Sequence, residues 1–439
     1  MTIKRKLFYA ERLLFLNGDR SRNPISITFP ISIKGNIPHS RVRLALDKLQ
    51  KRHPALRARI EGCYLVYEDT DFRPIPLRIV YRVSENTWET EKEKFVPEPY
   101  NYEEGPLLRV LWVKSNEVSE FVFTALHAIM DWKSCVILMK EFYILLNAPD
   151  KEVVPYLPIQ SMKDLLPDVS LTWKEKLMGN VWTEILRWKL IFTTWNKKVP
   201  PPQFYSLIFF LNEEMTLALN KAAEKNKVSV GNISCILAAK LFKAHFHPGK
   251  PECTFFMPLD IRRYASSVKR DMFFGFAPMI RPKIQLSDDE DVWEQARRFE
   301  KEVIRLALTM QKTHSQSIRH SIKRGLLVGE YYHRIIKLIL KRNYVIDEKQ
   351  DFIFASLGKQ QLRLKNPEFE IQHILPSEIR FPWHNPTYLG IMEFFNNTIE
   401  FAFCSNENLI PKEVLKVIRS EFEQAVKDLI KDEMTKTDN

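Results

Sequence analysis

The hydrophobic pattern of the first 150 residues alternates between two periods. Apolar and polar residues alternate over 25–33, which predicts a half-buried strand. Residues 42–50 carry apolar side chains at helical spacing, and Pro54 ends that helix. The pattern then predicts two strands and an apolar-faced helix, at 107–113, 119–126 and 136–146. This interleaving is typical of a layered α/β domain.

The second half of the chain repeats this alternation after a different kind of segment. Prolines break residues 151–203, and we interpret the helical stretch within this segment as a crossover between two halves. The pattern then predicts a helix, a strand, a basic helical stretch and a closing helix, at 230–246, 253–261, 292–340 and 412–430. The predicted organisation is therefore an N-terminal lobe over 1–150, the crossover over 151–203 and a C-terminal lobe over 204–439.

The length, composition and charge of the chain indicate a globular protein of two domains with an anionic partner. The chain has 439 residues, 45% hydrophobic and 27% charged, which is ordinary for globular proteins. This length predicts two domains of roughly 200 residues each. Sixty-six Lys and Arg against 54 Asp and Glu give a formal net charge of +12. Such a charge favours an acidic protein partner, a phosphate-bearing ligand or an anionic membrane surface.

The cysteines and the N-terminal residues help to predict the cellular compartment of the protein. The five cysteines are scattered and form no C-x-x-C motif, so neither a disulfide framework nor a zinc site is expected. Glu11 and Arg12 interrupt the apolar stretch LFYAERLLFL, which therefore does not fit the core of a secretory signal. No run approaches the roughly 20 uncharged apolar residues of a membrane span. We expect a cytoplasmic protein, with peripheral contact to a membrane as an open second location.

His127 and Asp131 are the strongest candidates for chemistry. A Phe- and Val-rich strand delivers His127 at its C-terminal end, and Asp131 follows just before a helix. A neutral imidazole there can deprotonate an attacking alcohol or amine, since the pKa of histidine lies near neutral pH. Asp131 can cap the helix or pair with an arginine. On this spacing alone, a hydrogen-bonded histidine at a strand terminus is the more ordinary interpretation.

The residues around His127 and Asp131 favour a catalytic role over a purely structural one. Ser134 and Glu141–Tyr143 follow at the offsets of a longer motif, and residues 46–57 and 105–109 read as R-H-P-x-L-R after a helix and as G-P-L-x-R before a strand. Together they resemble the His-His-x-x-x-Asp-Gly region and its upstream signatures in condensation domains of nonribosomal peptide synthetases and in the wider chloramphenicol-acetyltransferase-like superfamily. Four later stretches resemble further family elements in the same order, at 229–239, 257–263, 273–276 and 355–358.

The resemblance implies a fold and a set of site residues. The fold would be two chloramphenicol-acetyltransferase-like α/β lobes in a V, with an active-site tunnel between them. His127 would be the general base or would position the nucleophile. Asp131 would point away from the substrate and pair with an arginine of the second lobe, for which Arg262 is the candidate and Arg263 the nearest competitor. The candidates for the substrate tunnel are Trp132, Ser134, Ser356, Gly358 and His384.

Two positions depart from the family pattern. Leu126 replaces the first His of the doublet, which several branches of the superfamily tolerate. Trp132 replaces the Gly after Asp131, where glycine lets the chain turn tightly and lets a thioester arm pass close to the backbone. A tryptophan there must adopt a different turn or fill part of the tunnel. It either shapes a substrate pocket or marks a degenerate site.

Three other features have open interpretations. Packing on the core is the preferred interpretation of the crossover tryptophans, with an acyl chain or an interface as the alternative. Residues 312–342 carry eight Lys or Arg and one acid, which suits an acidic carrier protein, coenzyme A phosphates or anionic lipid as well as a solvated helix face. His384 lies in an aromatic loop and is more ordinary as a packing residue. The tryptophans are Trp173, Trp182, Trp188 and Trp195.

The sequence thus predicts a stand-alone acyltransferase that moves an acyl group from a coenzyme A or acyl-carrier-protein thioester to a hydroxyl or amine. We expect a monomer with no tightly bound cofactor, no metal and no nucleic acid partner. An acidic acyl carrier protein or a coenzyme A thioester is the expected partner. The alternative is a catalytically degenerate condensation-like module that binds a carrier protein or recruits another enzyme. A third interpretation is a lipid ester synthase of the same superfamily at a membrane surface.

Overall fold

The computed structural model describes most of the chain. The described ranges, with isolated positions between them, are 2–8, 25–70, 72–161, 203–246, 251–260, 268–275, 279–312, 352–360, 364–374, 378–379, 387–394, 398–408 and 410–434. Arg263, His384, Trp195 and the basic stretch after residue 312 lie outside the described residues, so what the sequence predicts for them stays a prediction.

Strands and helices interleave in both halves, so the predicted α/β class is confirmed. In chain order the strands are β1 (Thr2–Lys6), β2 (Ser26–Lys34), β3 (Ala58–Glu61), β4 (Tyr64–Glu68), β5 (Leu77–Tyr81), β6 (Leu108–Lys114), β7 (Val118–Leu126), β8 (Phe204–Leu211), β9 (Glu252–Pro258), β10 (Met279–Ile280), β11 (Lys283–Gln285), β12 (Phe352–Gln360), β13 (Glu370–Ile374), β14 (Glu378–Ile379), β15 (Thr387–Phe394) and β16 (Thr398–Asn406). The helices are α1 (His39–Arg52), α2 (Thr87–Phe95), α3 (Trp132–Asn147), α4 (Glu213–Lys225), α5 (Val230–Phe246), α6 (Val292–Lys312) and α7 (Lys412–Met434).

The first sheet carries the strand that ends at the candidate histidine. Its order is β13-β2-β7-β6-β5, and β14 also pairs with β2. β2 and β7 form a long antiparallel pair in which Ser26 lies opposite Leu126. Both strands are buried over nearly their whole length, whereas the alternating pattern over 25–33 predicts a strand that is only half buried. Two strands of this sheet, β13 and β14, come from the second half of the chain, so residues 1–150 do not build it alone.

The second sheet forms the centre of the other lobe. Its order is β10-β9-β12-β15-β16-β8, with β11 paired to β9. β12 runs parallel to β9 and to β15, whereas β16 runs antiparallel to both of its neighbours, β15 and β8. Helices α4, α5, α6 and α7 bury apolar side chains against one face of this sheet, including Leu219, Ile236, Phe299 and Phe422. The opposite face is left for the first lobe.

The two lobes pack directly against each other. Ala355 of β12 and Ala402 and Cys404 of β16 belong to the same cluster of buried residues as the core of the first lobe. Phe273, which precedes β10, joins that cluster as well. The face of the second sheet that carries Ala402 is therefore the inter-lobe face. The tunnel that the resemblance implies, and the predicted lobe boundaries, stay predictions.

The tryptophans of the crossover are not packed on the core as predicted. The described residues between 173 and 188 are helical. Trp173, Trp182 and Trp188 are 70%, 63% and 53% exposed, so packing on the core is wrong for these three. Four more large apolar residues in the same stretch are also exposed, namely Leu177, Met178, Val181 and Ile185. Within the described part of the chain, the helices all fall short of the length and apolarity that crossing a bilayer requires.

Candidate active site

His127 directly follows β7, and its backbone fixes it to the first sheet. Its amide donates to the carbonyl oxygen of Ile25 over 2.8 Å. Its Nδ1 lies 2.8 Å from the carbonyl oxygen of Met130. Because a carbonyl oxygen only accepts, Nδ1 carries the ring proton and Nε2 of the neutral ring holds the lone pair. This is the tautomer that a general base acting through Nε2 requires.

The surroundings of His127 favour its neutral form. Burial lowers the pKa of His127 from its ordinary value of 6.5, and this effect outweighs the hydrogen bond to Met130 and the nearby Asp131 carboxylate, which act in the other direction. The imidazole is therefore unprotonated at neutral pH. A histidine in this state can accept a proton from an attacking hydroxyl or amine.

Asp131 begins the helix that follows the histidine loop. It is the N-cap of α3, with an extended backbone, and its carboxylate accepts from the amide of Ser134 over 2.8 Å. Its own amide donates to the carbonyl oxygen of Phe274 over 3.1 Å. Asp131 is buried. Its carboxylate thus holds the turn between His127 and α3.

Arg262, from the second half of the chain, forms an ion pair with the carboxylate of Asp131. Nη1 of Arg262 lies 2.9 Å from Oδ2 of Asp131, and Nη2 lies 3.0 Å from Oδ1, with both side chains buried. Arg262 also donates to Asp260 over 3.0 Å and to the carbonyl oxygen of Met272 over 2.7 Å. The structure brings together the two residues that the resemblance pairs, across 131 positions of sequence. A buried bidentate pair of this kind fixes orientation strongly.

Ser134 is part of the same network. Its hydroxyl accepts from Nη2 of Arg262 over 2.8 Å and from the amide of Phe274 over 3.1 Å. The same hydroxyl lies 2.8 Å from Oδ1 of Asp131. Ser134 is fully buried. The structure therefore places this predicted tunnel residue inside the ion-pair network of the two lobes.

Gly275 lies against the backbone of the histidine loop. A Cβ built on Gly275 would come 2.6 Å from the carbonyl oxygen of Ala128 and 2.8 Å from the amide nitrogen of Met130. Both are backbone atoms, which cannot move aside as a flexible side chain can. Only glycine permits this approach without displacement of the loop. The second lobe thereby supports the residue whose carbonyl oxygen orients His127.

Arg52 and His53, which belong to the R-H-P signature, connect the end of α1 to α3 and to Asp271. Nε2 of His53 lies 2.6 Å from Glu141 of α3, and Arg52 reaches the same carboxylate over 3.0 Å. Arg52 also donates to Asp271 over 2.7 Å and to the hydroxyl of Tyr156 over 2.8 Å. The spacing gave no signal for this network because the partners lie 88 or more residues away from His53 and Arg52.

Ser356 and Gly358 lie on an irregular part of β12. The pairing of β12 with β15 shifts register between Ser356 and Lys359, and Gly358 has a φ of +59°, which favours glycine. Ser356 is exposed. A Cβ on Gly231 would come 2.8 Å from the Ser356 hydroxyl, so α5 packs closely here. Contact of these residues with substrate stays a prediction.

Trp132 takes up the position where the family pattern has glycine. It is the first residue of α3, so the turn at this position needs no left-handed backbone. Its side chain is 8% exposed and belongs to the buried cluster of the first lobe. The indole is thus accommodated in the core.

Comparisons with known proteins agree with this geometry. A condensation-domain family model matches residues 11–234. Bacitracin synthase 2 of Bacillus licheniformis is 24% identical over 234 residues, which is 50% of this chain but 9% of the synthase. The chain therefore spans only a small part of that curated relative.

Solved structures share the fold over nearly the whole chain. Trichothecene 15-O-acetyltransferase TRI3 from Fusarium sporotrichioides superposes with a TM-score of 0.70 at 10% identity, covering 98% of this chain and 96% of that one. The epimerization domain of tyrocidine synthetase B gives 0.65 at 13% identity, covering 100% and 98%. The EpoB cyclization-docking bidomain from Sorangium cellulosum gives 0.65 at 13%, covering 98% and 85%. At these identities the likeness supports the two-lobed fold.

Proposed function

Because this chain belongs to the condensation-domain family, we propose that it is an acyltransferase with His127 as its general base. The observation that carries the proposal is the ring of His127, whose Nδ1–H is engaged by the carbonyl oxygen of Met130. That bond leaves the lone pair on Nε2, and burial keeps the ring neutral. Asp131 and Arg262 position the loop and do not touch the reacting atoms.

In the proposed reaction the acceptor hydroxyl or amine attacks the carbonyl carbon of an acyl thioester. Nε2 of His127 takes the proton of the nucleophile as the new C–O or C–N bond forms. The C–S bond then breaks, and the thiolate leaves with the proton that His127 returns. Holding both substrates against one base makes the step effectively unimolecular and supplies much of the acceleration.

The donor is proposed to be a coenzyme A thioester or an acyl group on a phosphopantetheinyl carrier protein. The family match supports a carrier-protein partner, and the net charge of +12 suits an acidic one. A panel of acyl thioesters of both kinds, incubated with alcohols and amines and read by product mass, identifies the donor class.

Substitution of the base tests the proposal. His127→Ala and His127→Gln are expected to lower the rate of acyl transfer by about 10²–10⁴-fold, the range for loss of a general base. His245→Gln is the matched control, because His245 pairs with Glu421 on the surface of α5. Full transfer activity in both His127 variants would refute the assignment.

The alternative is a non-catalytic module that binds a carrier protein. Its motivation was Trp132, and the burial of this indole in the first-lobe core weakens the argument that it blocks the site. Tight binding of a carrier protein, with the thioester stable against every acceptor tried, would favour the alternative.

We also propose that the exposed crossover face contacts an anionic membrane surface. Leu177, Val181 and Ile185 recur every four residues and are exposed, as are the three tryptophans beside them, and the chain carries a net positive charge. Flotation with vesicles of phosphatidylglycerol and phosphatidylcholine is expected at low salt and is expected to weaken at high salt. Replacement of the three tryptophans by serine should abolish flotation, and unchanged flotation would exclude this contact.

A further inference from the structure

Glu400 lies on the inter-lobe face of the second sheet. Along β16, Ile399, Phe401 and Phe403 belong to the core beneath helices α4 to α7. Ala402 and Cys404 belong instead to the cluster shared with the first lobe. Because side chains alternate along a strand, Glu400 points to the same side as Ala402. A carboxyl group therefore faces the first lobe.

This carboxyl group is unusual in its surroundings. Glu400 is 2% exposed, and its Oε2 has no hydrogen-bond partner in the part of the chain that the structure describes. Burial raises the pKa of Glu400 well above its ordinary value, with no other cause contributing. A buried carboxyl group without a partner is costly, so it commonly marks a functional position.

An exposed aromatic ring lies directly beside Glu400. Phe210 of β8 is the cross-strand partner of Glu400, so the two side chains point to the same face. Phe210 is 47% exposed, whereas its neighbours Phe209 and Leu211 are buried in the core beneath the helices. A carboxylate beside an accessible aromatic face is the arrangement that recognises an ammonium group.

The topology places β16, the strand that carries Glu400, beside a strand that pairs with the first sheet. β14 lies against β16 and pairs with β2, with Ile379 opposite Ile27. Ile25, which accepts the amide hydrogen of His127, lies just before β2. The strand that carries Glu400 thus lies next to the edge of the first sheet at the end where His127 leaves it.

We propose that Glu400 and Phe210 form a subsite for a cationic ammonium group of the acceptor substrate. This inference rests on the proposed acyl transfer, because it names the acceptor as a molecule with an ammonium group in addition to its nucleophile. Diamines, amino alcohols and basic amino acid derivatives belong to this class. When the ammonium group binds, the Glu400 carboxyl group releases its proton to solvent and the carboxylate pairs with the cation. No covalent bond changes in this step.

Calorimetric titration with a matched pair of small probes tests the subsite without any thioester. Propane-1,3-diamine is cationic at neutral pH, and propane-1,3-diol is its neutral counterpart. Glu400→Gln should weaken binding of the diamine at least tenfold, and Phe210→Leu severalfold, with no effect of either on the diol. Glu413→Gln is the control, since it makes the same Glu-to-Gln change at an exposed site in α7. The net charge of +12 opposes non-specific binding of a dication.

Two readouts make the result decisive. Titration in buffers of different ionisation enthalpy should show proton release when the diamine binds to the native protein and none for Glu400→Gln. Diamine affinity that is undetectable in the native protein, or equal in the native protein and Glu400→Gln, would overturn the subsite. His127→Ala should bind the diamine normally. If His127→Ala abolishes transfer but diamine binding does not depend on Glu400, the subsite alone is refuted. If His127→Ala retains transfer and diamine binding does depend on Glu400, the transfer mechanism alone is refuted.

Discussion

Arg262 and Asp131 form a buried bidentate ion pair between the two halves of the chain, with contacts of 2.9 and 3.0 Å. The pair closes the turn that follows His127, and Ser134 joins both partners. The orientation of His127, the proposed base in the first lobe, therefore depends on a side chain of the second lobe. A change in the packing of the two lobes is therefore expected to change the geometry of the site as well.

Removal of one member of this pair should be costly. Arg262→Leu leaves the Asp131 carboxylate buried and unpaired, which is expected to lower the free energy of unfolding by about 3–5 kcal/mol. Urea denaturation measures this loss. Arg298→Leu is the control, because it breaks an exposed pair with Glu290 and should cost less than about 1 kcal/mol. Equal losses for the two variants would contradict the structural role of Arg262.

Gly275→Ala should disturb the site through packing alone. The added methyl would meet backbone atoms of Ala128 and Met130, and the resulting displacement should cost about 1–3 kcal/mol of stability and lower kcat for acyl transfer at least tenfold. Gly62→Ala is the control for backbone strain without a clash, since the φ of Gly62, +59°, is unfavourable for alanine and the space around it is open. Loss of transfer in both variants would assign the effect to a general loss of stability and not to the contact of Gly275 with the histidine loop.

The lowered pKa of His127 sets the pH dependence. Transfer measured as kcat/KM should fall on the acid side only below pH 6.5, as the ring takes up its proton. Because the folded-state pKa is below the unfolded value, the stability from neutral His127 is present above pH 6.5 and is lost as the pH falls through the folded-state pKa. The stability difference between the native protein and His127→Gln should therefore shrink between pH 7 and pH 5. An acid limb above pH 6.5 would contradict this.

The pKa of Glu400 is shifted upward, so its effect on stability changes with pH in the opposite direction to that of His127. The folded-state pKa of Glu400 is raised, so its contribution to stability is greatest below the ordinary pKa of 4.5 and is lost as the pH rises. Glu400→Gln is neutral at every pH and should therefore raise the free energy of unfolding at pH 8 by about 1–3 kcal/mol, with little gain at pH 4. Thermal unfolding at both pH values checks this. A gain that is equal at both pH values would mean that ionisation of Glu400 is not the cause.

The sequence predicted the elements well where periodicity was strong. The predicted helix over 230–246 coincides with α5, and the strand over 119–126 differs from β7 by one residue. The pairing of Asp131 with Arg262 followed from the family resemblance, because residues 131 positions apart carry no local signal of contact.

Other features depended on tertiary structure and were missed. Glu400 reads as one polar residue in an alternating strand, and only the packing of its neighbours shows that its side faces another lobe. The exposure of Trp182 was missed for the converse reason, since an apolar helical stripe has the same pattern whether or not a partner covers it. The pairing of β13 with the edge of the first sheet has no sequence signature.

The pairing of β13 and β14 with β2 limits how the chain can be divided. A fragment that ends before residue 370 would lack β13 and β14, and β2 would become an open edge along its whole length. Unpaired amides and carbonyls on a long, buried-type strand are templates for pairing with other chains, so such a fragment would aggregate rather than fold as a half-molecule. Neither half is a separable building block, and a recombined or truncated version must carry residues 370–379 together with the N-terminal sheet.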